Sequence, residues 1–380
     1  MLIGPRYASM SGAGSPYVCR YLRMSIGRTW EGSSVTAVLK VALEDAGGNP
    51  YAWPAGTAVT VGTTDEYGTA IPIENPSAQN ILTGAGDGFT CEWSGPGDGH
   101  PLDITIDLGG GNAVDTSAMC IWRWYETDKV NQRIYPDMFD LLGSADGRTW
   151  RRLDSRGAGN EPLARKPDGL TYSGFIGRRI QYLESSGTQY IDTGLSDEYY
   201  YGYELSLQPV GDLVENGAMF GVRTGNLAGS TGIGNVPGDA GKIGVWKDSD
   251  VVEAIVDRQE FNSIFIKPPV ESETDFISEF TVNHDSYTLK SYKTEIFQSE
   301  DMYLFAANGA EGERQPCRMA GYAVVGGDST SGDYHAEMGL IPVSVGGEGM
   351  MFDKVSGRLF GNAGTGSFTR GPEIPPLEAY

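Results

Sequence analysis

Apolar and polar residues alternate along much of the chain. Leu102, Ile104, Ile106 and Leu108 alternate with Asp103, Thr105 and Asp107, and Gly109-Gly110-Gly111 stops the run. A period of two places one set of side chains inward and the other in water, so this segment predicts a half-buried strand. Tyr21-Leu22-Arg23-Met24-Ser25-Ile26 has the same rhythm. Residues 35–43 fit both a helical face and an alternating strand. The β-branched residues and neighbouring strands favour strand. Phe139-Asp140-Leu141-Leu142 and residues 149–153 flank Asp146-Gly147, a hairpin signal, since a type I′ turn needs positive φ at both central residues.

The second half carries the same punctuation. Ile180-Gln181-Tyr182-Leu183 opens it, and strands are predicted at residues 203–207, 218–222, 242–246, 276–282, 302–306 and 321–325. Residues 350–352 and 358–360 flank Ser356-Gly357, a further hairpin. Residues 155–175 hold two prolines, four glycines and mixed charge without periodicity, which marks a linker. Residues 1–17 are small and aperiodic, an arm. The expected fold is all-β, with two β-sandwich (jelly-roll) domains in tandem. The expected bounds are an arm at 1–17, a first sandwich at 18–158, a linker at 159–175 and a second sandwich at 176–374.

Composition agrees with that picture. Of 380 residues, 54 are glycine and 20 proline, and 11% are aromatic. That suits short strands and tight turns better than a helical bundle. The net charge is −22, so nucleic acid is not an expected partner. The charge is uneven. Residues 1–174 carry 14 Lys+Arg against 20 Asp+Glu, and the remainder 14 against 30. No apolar run is long enough to span a membrane, and the N-terminus lacks a secretory pattern. Cys19, Cys91, Cys120 and Cys317 are too scattered for a disulfide scaffold, so buried thiols are expected, with a Cys91–Cys120 bridge as the alternative.

Catalytic signatures are sparse. A Gly-x-Ser-x-Gly elbow and a Walker loop are absent, and Gly84-Ala85-Gly86-Asp87-Gly88 lacks the lysine and helix of a phosphate loop. His335-Ala336-Glu337 has no downstream cysteine pair, because Pro316-Cys317 lies upstream. Glu253, Asp257 and Glu260 have the wrong spacing for acids on one strand face. Glu271, Glu273 and Asp275 alternate but lack an apolar opposite face. Asp87, Asp248 and Asp250 are candidate oxygen ligands for a structural Ca²⁺, without EF-hand spacing; no other cofactor is expected. Tryptophan is the more informative residue. Trp122 and Trp124 share a face and suit a core. Tyr51 and Trp53 sit in a proline-flanked loop, where flat rings can stack on a sugar. Trp93 and Trp246 complete the candidate carbohydrate-binding set.

Two resemblances sharpen this reading. Tyr182-Leu-Glu-Ser-Ser-Gly-Thr-Gln-Tyr-Ile-Asp-Thr-Gly194 and the stretch from Gly349 to Gly371 resemble the first strand pair and last hairpin of concanavalin A-like, laminin-G-like jelly rolls of gut phages and bacteria. Residues 20–24, 103–108 and 139–150 are similar to a discoidin-like (factor 5/8 C-type) galactose-binding sandwich, as are residues 80–93. Thr83 stands where that family has Asp, and its terminal cysteine bridge is missing. Both resemblances imply glycan binding or adhesion without catalysis. The tandem is similar to phage tail- or head-fibre proteins. It implies a virion protein assembled in the host cytoplasm, binding host-surface glycans, docking on other virion proteins through residues 1–17, and acting as a homo-oligomer, a trimer first. A bacterial cell-surface lectin or adhesin is the alternative reading, and a glycoside hydrolase a third.

Overall fold

The computed structural model describes residues 15–29, 35–38, 40–64, 70–75, 77–85, 89–93, 100–125, 136–156, 172–196, 201–214, 217–222, 231–236, 239–247, 250–254, 256–268, 270–271, 275–292, 301–308, 314–328 and 333–379. Among them the only helical element is a 3₁₀ turn, Ala78–Leu82; the rest is strand and connection. The chain is all-β, and its sheets build β-sandwiches. It divides into two compact units. The first draws on Met1–Cys120, Glu126–Gly157 and Pro375–Tyr380, the second on Ile121–Tyr125 and Ala158–Ile374.

In the first unit, one antiparallel sheet runs in the order Leu377–Ala379, Trp150–Arg156, Pro136–Ser144, Tyr21–Thr29, Leu102–Asp107, Ala58–Thr64, Ala70–Ile73. Register follows the alternation in sequence. Leu22, Met24 and Ile26 pair with Ile106, Ile104 and Leu102, so six apolar side chains share one buried face. The opposite face is polar and interlocked. Arg20 makes a two-pronged contact with Asp107, at 2.9 and 3.0 Å. Arg23 reaches Asp103 at 3.0 Å and lies 3.9 Å from the centre of the Trp150 ring. Val35–Val38 and Lys40–Glu44 are strand, as expected, and belong to different sheets.

The Asp146-Gly147 hairpin forms by a different mechanism from the expected type I′ turn. Of the two residues only Gly147 has positive φ, at 73°. Asp146 acts through its side chain, with Oδ1 accepting the N–H groups of Arg148 and Thr149 at 2.8 Å each. Such an Asx arrangement satisfies turn donors without a left-handed aspartate.

In the second unit, the larger sheet is centred on Tyr201–Pro209, Cys317–Asp328 and Asp333–Val345. The smaller runs Ile191–Ser196, Asp301–Leu304, Ala218–Val222, Thr231–Val236, Asp239–Lys247, Asp250–Ala254. Both contribute to one core, with Tyr203, Leu205 and Tyr322 from one sheet and Phe220, Ile233 and Leu304 from the other. The Tyr203 and Tyr322 rings each lie 5.4 Å from Phe220. The Ser356-Gly357 hairpin is present, with Met351 opposite Phe360 and Gly357 at φ 71°.

The expected boundaries differ from these units in three places. Tyr172–Phe175, placed in the 159–175 linker, is a buried strand paired with Ile121–Tyr125; residues 157–171 lie outside the described residues. Tyr17, placed in the arm, is 1% exposed, and its carbonyl accepts the N–H of Thr116; residues 1–14 lie outside the described residues. Neither unit is a single continuous stretch of chain. Ile121–Tyr125 comes from the first stretch of chain but belongs to the second unit, and Leu377–Ala379 does the reverse. A strand of three to five residues carries too little periodicity to reveal which sheet receives it.

The four cysteines are separate free thiols, all buried, so the Cys91–Cys120 bridge does not form. No helix among the described residues is long and apolar enough to cross a membrane.

Candidate functional site

The best-formed candidate is the connection after Lys40–Glu44, which carries Tyr51 and Trp53 in the first unit. Its first turn is built by Asp45. Oδ1 accepts the N–H groups of Gly47 and Asn49 at 2.8 and 2.9 Å, and Asn49 Nδ2 donates to Oδ2 at 2.9 Å. These donors hold the Asp45 carboxyl below its ordinary range, the Asn49 side chain contributing most. Gly48 supplies the positive φ, 78°, that the turn requires.

The chain then returns along the strand it left. Pro50 bridges Glu44, and the Tyr51 N–H donates to the Leu43 carbonyl at 2.7 Å. A second turn closes when the Thr57 hydroxyl donates to the Pro54 carbonyl at 2.8 Å. Gln79, on the 3₁₀ turn, locks it by donating to the Thr57 carbonyl at 2.9 Å and accepting the Val59 N–H at 3.1 Å. Between these two braced turns the Tyr51 and Trp53 rings meet edge to face, with centroids 5.5 Å apart and planes at 87°. Both rings are half-buried. Burial raises the Tyr51 phenol above its ordinary range, so it remains a neutral donor and acceptor at physiological pH.

Such a pair offers an apolar face and a polar handle held in one geometry, with little ordering left to be done when a ligand arrives.

The other tryptophans do not join it. Trp93 is 3% exposed and donates Nε1 to the His100 carbonyl at 3.3 Å. Trp246 is fully buried and donates Nε1 to the Val222 carbonyl at 3.4 Å. Its ring lies over Gly232 and Gly234, where a Cβ would stand 2.7 and 2.9 Å from it. Both are core residues, and neither presents a face to a sugar. Trp246 sits on the face of its strand opposite Val245, which points to the main core. That second face is covered too, against Ala218 and Ala307.

Asp87 and Asp248 lie outside the described residues, as does the side chain of Asp250. No group of three or more His, Cys, Asp or Glu residues that could hold a metal occurs among the described residues. Of the carboxylates weighed as hydrolytic acids, Glu253 is exposed on its strand. Asp257 and Glu260 are exposed in the turn beyond, where Asp257 Oδ1 accepts the Gln259 N–H at 2.7 Å. Glu273 lies outside the described residues.

Sequence reasoning missed a second aromatic pair, Tyr190 and Tyr303 in the second unit, stacked at 4.7 Å. The available signal was a tyrosine in the polar phase of an alternating run. Tyr303 falls between Met302 and Leu304, and Tyr190 and Asp192 flank Ile191.

No protein-family model and no curated protein matches this chain. Among solved structures, a protein from Bacteroides ovatus proposed to bind carbohydrate aligns with a TM-score of 0.33 and 12% identity, over 94% of this chain and 93% of that one.

Proposed function

We propose that the protein is a non-enzymatic binding protein for surface glycans, with Tyr51 and Trp53 as its principal contact. The observation that carries this reading is the edge-to-face pair, 5.5 Å between centroids, on a loop braced by Asp45 and Gln79. A sugar presents flat C–H faces and hydroxyl rims, and this pair presents a ring and a phenol to match.

The biological setting we infer is a bacteriophage particle that displays several copies, as a trimer or another symmetric array. The segment before Ser15 would attach it to other virion proteins, since Tyr17 belongs to the folded unit. The support is the resemblance of residues 182–194 and 349–371 to jelly rolls of gut phages and bacteria, together with the similarity of the tandem to phage fibre proteins. Weak single-site contacts gain most from display in many copies, because later contacts are intramolecular. Glycan-array binding tests the core of the reading. Trp53→Ala should weaken binding by roughly tenfold or more while the melting temperature holds. Equal binding by wild type and variant would remove the loop from the site, and turnover of a bound glycan would overturn the non-enzymatic assignment.

A further inference from the structure

In the first unit the strand Trp150–Arg156 places Trp150 and Arg152 on the outward face of its sheet. Arg152 stands opposite Leu142, and Leu142 opposite Arg23, so the three share a row. Arg23 is fixed to the next strand of that row, where Nε donates to Thr105 Oγ1 and Nη1 to Asp103 Oδ2, each at 3.0 Å. The Trp150 ring centre lies 3.9 Å from the Arg23 guanidinium, with the strand Pro136–Ser144 between their own two. The indole must therefore lie across that strand, with one face turned to the sheet. Leu142 is 8% exposed although it points outward, as a residue beneath the ring should be. The Tyr21 and Trp150 rings meet at 6.4 Å with their planes at 64°.

The donors around this ring are unengaged. Elsewhere Arg20, Arg123, Arg314 and Arg318 each donate to an oxygen. Arg152 is exposed and does not. Its Nη1 stands 3.8 Å from Asp140 Oδ1, too far for a hydrogen bond, so its N–H groups are open. Arg148, two residues before Trp150, is exposed in the Asp146-Gly147 turn, and its side chain makes no hydrogen bond or ion pair. The carboxylate of that turn is already occupied, because Asp146 Oδ1 accepts the N–H groups of Arg148 and Thr149 and the Ser144 hydroxyl. Trp150 is half-buried, and its Nε1–H has no acceptor among the described residues. Alternate residues of a strand lie about 6.7 Å apart, so the indole and the Arg152 guanidinium stand within reach of one small ligand.

We propose that Arg148, Trp150 and Arg152 form a binding site for acidic sugars of the uronic-acid class. The guanidiniums on either side of the ring receive carboxylates, for which their planar forks are suited. The indole N–H donates to a ring or hydroxyl oxygen, and the ring supplies apolar surface to the sugar. A site made of open donors selects a ligand rich in acceptors, and a uronate is one. The net charge of −22 does not forbid this, because exposed charges farther off than a Debye length of about 8 Å are largely screened at physiological salt. It does disfavour nucleic acid, whose duplex carries a charge every ~1.7 Å and meets the whole acidic field of the protein, whereas a polyuronate carries a single charge per sugar. The site shares no residue with the Tyr51–Trp53 loop, and each stands or falls apart from the other.

The test is affinity electrophoresis of the full chain at low ionic strength through gels cast with polygalacturonate, alginate or hyaluronan, with a single-stranded oligonucleotide as competitor. At least one of these gels should retard the wild type. Arg148→Gln combined with Arg152→Gln should weaken that retardation roughly tenfold at an unchanged melting temperature, since neither guanidinium holds a hydrogen bond in the fold. Arg258→Gln combined with Arg358→Gln removes the same charge from the second unit and should leave retardation unchanged, which separates a site from bulk charge. Trp150→Phe keeps a ring over Arg23 without the indole N–H and should weaken binding several-fold. Trp53→Ala should have no effect on it. The proposal is overturned if none of the three gels retards the wild type, if the oligonucleotide displaces the polyuronate, or if the two arginine pairs behave alike. Retardation that is lost in Trp53→Ala would assign acidic sugars to the loop and remove this site.

Discussion

At the scale of single residues, burial and hydrogen bonding set the chemistry of the ionisable groups. Burial pushes the thiols of Cys19 and Cys120 up to about 11, and it raises Cys91 and Cys317 as well. Thiolate is the reactive form, so folded protein at pH 8 should leave all four cysteines unlabelled by a disulfide reagent, and denatured protein should titrate four. Prompt labelling of the native state would contradict the burial. Asp146 shows the opposite shift. The N–H groups of Thr149 and Arg148 hold its carboxyl down at about 2, against an ordinary value of about 3.9. A depressed carboxyl stabilises the fold above its unfolded pKa and loses that contribution as pH falls through the folded one. Asp146→Ala should therefore melt lower than wild type at pH 7, with the gap closing between about pH 4 and pH 2. A gap that persists unchanged to pH 2 would show that the carboxylate is not the stabilising element.

At the scale of strands and turns, alternation carried most of the information. Leu102–Asp107 buries every second residue from Leu102 to Ile106, because one face meets a core and the other meets water. Where both faces are covered, that rhythm cannot separate core from surface: Val245 and Trp246 are neighbours on opposite faces of one strand, and both are buried. What holds Trp246 is glycine. At Gly232 an added Cβ would meet the Phe220 carbonyl and the Trp246 ring. Gly232→Ala should thus cost about 1–3 kcal/mol in denaturant melts, the usual range for overpacking, with reduced protection of Trp246 in quenching experiments. An unaffected variant would mean that the ring has room to move. The Tyr51–Trp53 loop was readable as a loop but not as a braced one. Asp45, Asn49 and Gln79 act through side-chain hydrogen bonds, one spanning Thr57 to Gln79, and no local pattern encodes such distant partners. The Tyr190–Tyr303 pair joins residues more than a hundred positions apart, so its signal exists only once the strand order is known.

At the scale of the whole molecule, two domains expected to follow one another along the chain are instead two units each drawn from separated stretches. A cut between residues 157 and 171 leaves Leu377–Ala379 on the C-terminal fragment, paired with Trp150–Arg152 of the N-terminal one, and puts Ile121–Tyr125 and its partner Tyr172–Phe175 on different fragments. A protease site engineered there should give two fragments that co-elute in native size-exclusion chromatography and part only in denaturant. Fragments that separate without denaturant would show that these pairings are dispensable. The C-terminal pairing also constrains biosynthesis. The Trp150–Arg152 segment waits for Leu377–Ala379, which a ribosome makes only after the whole second unit. At ~5–20 residues per second that interval is roughly 10–45 s. For that time a nascent chain presents an unpaired strand edge, the feature most prone to mispair with a neighbouring chain. Translation speed and chaperone supply, rather than final stability, should therefore govern the yield of soluble protein.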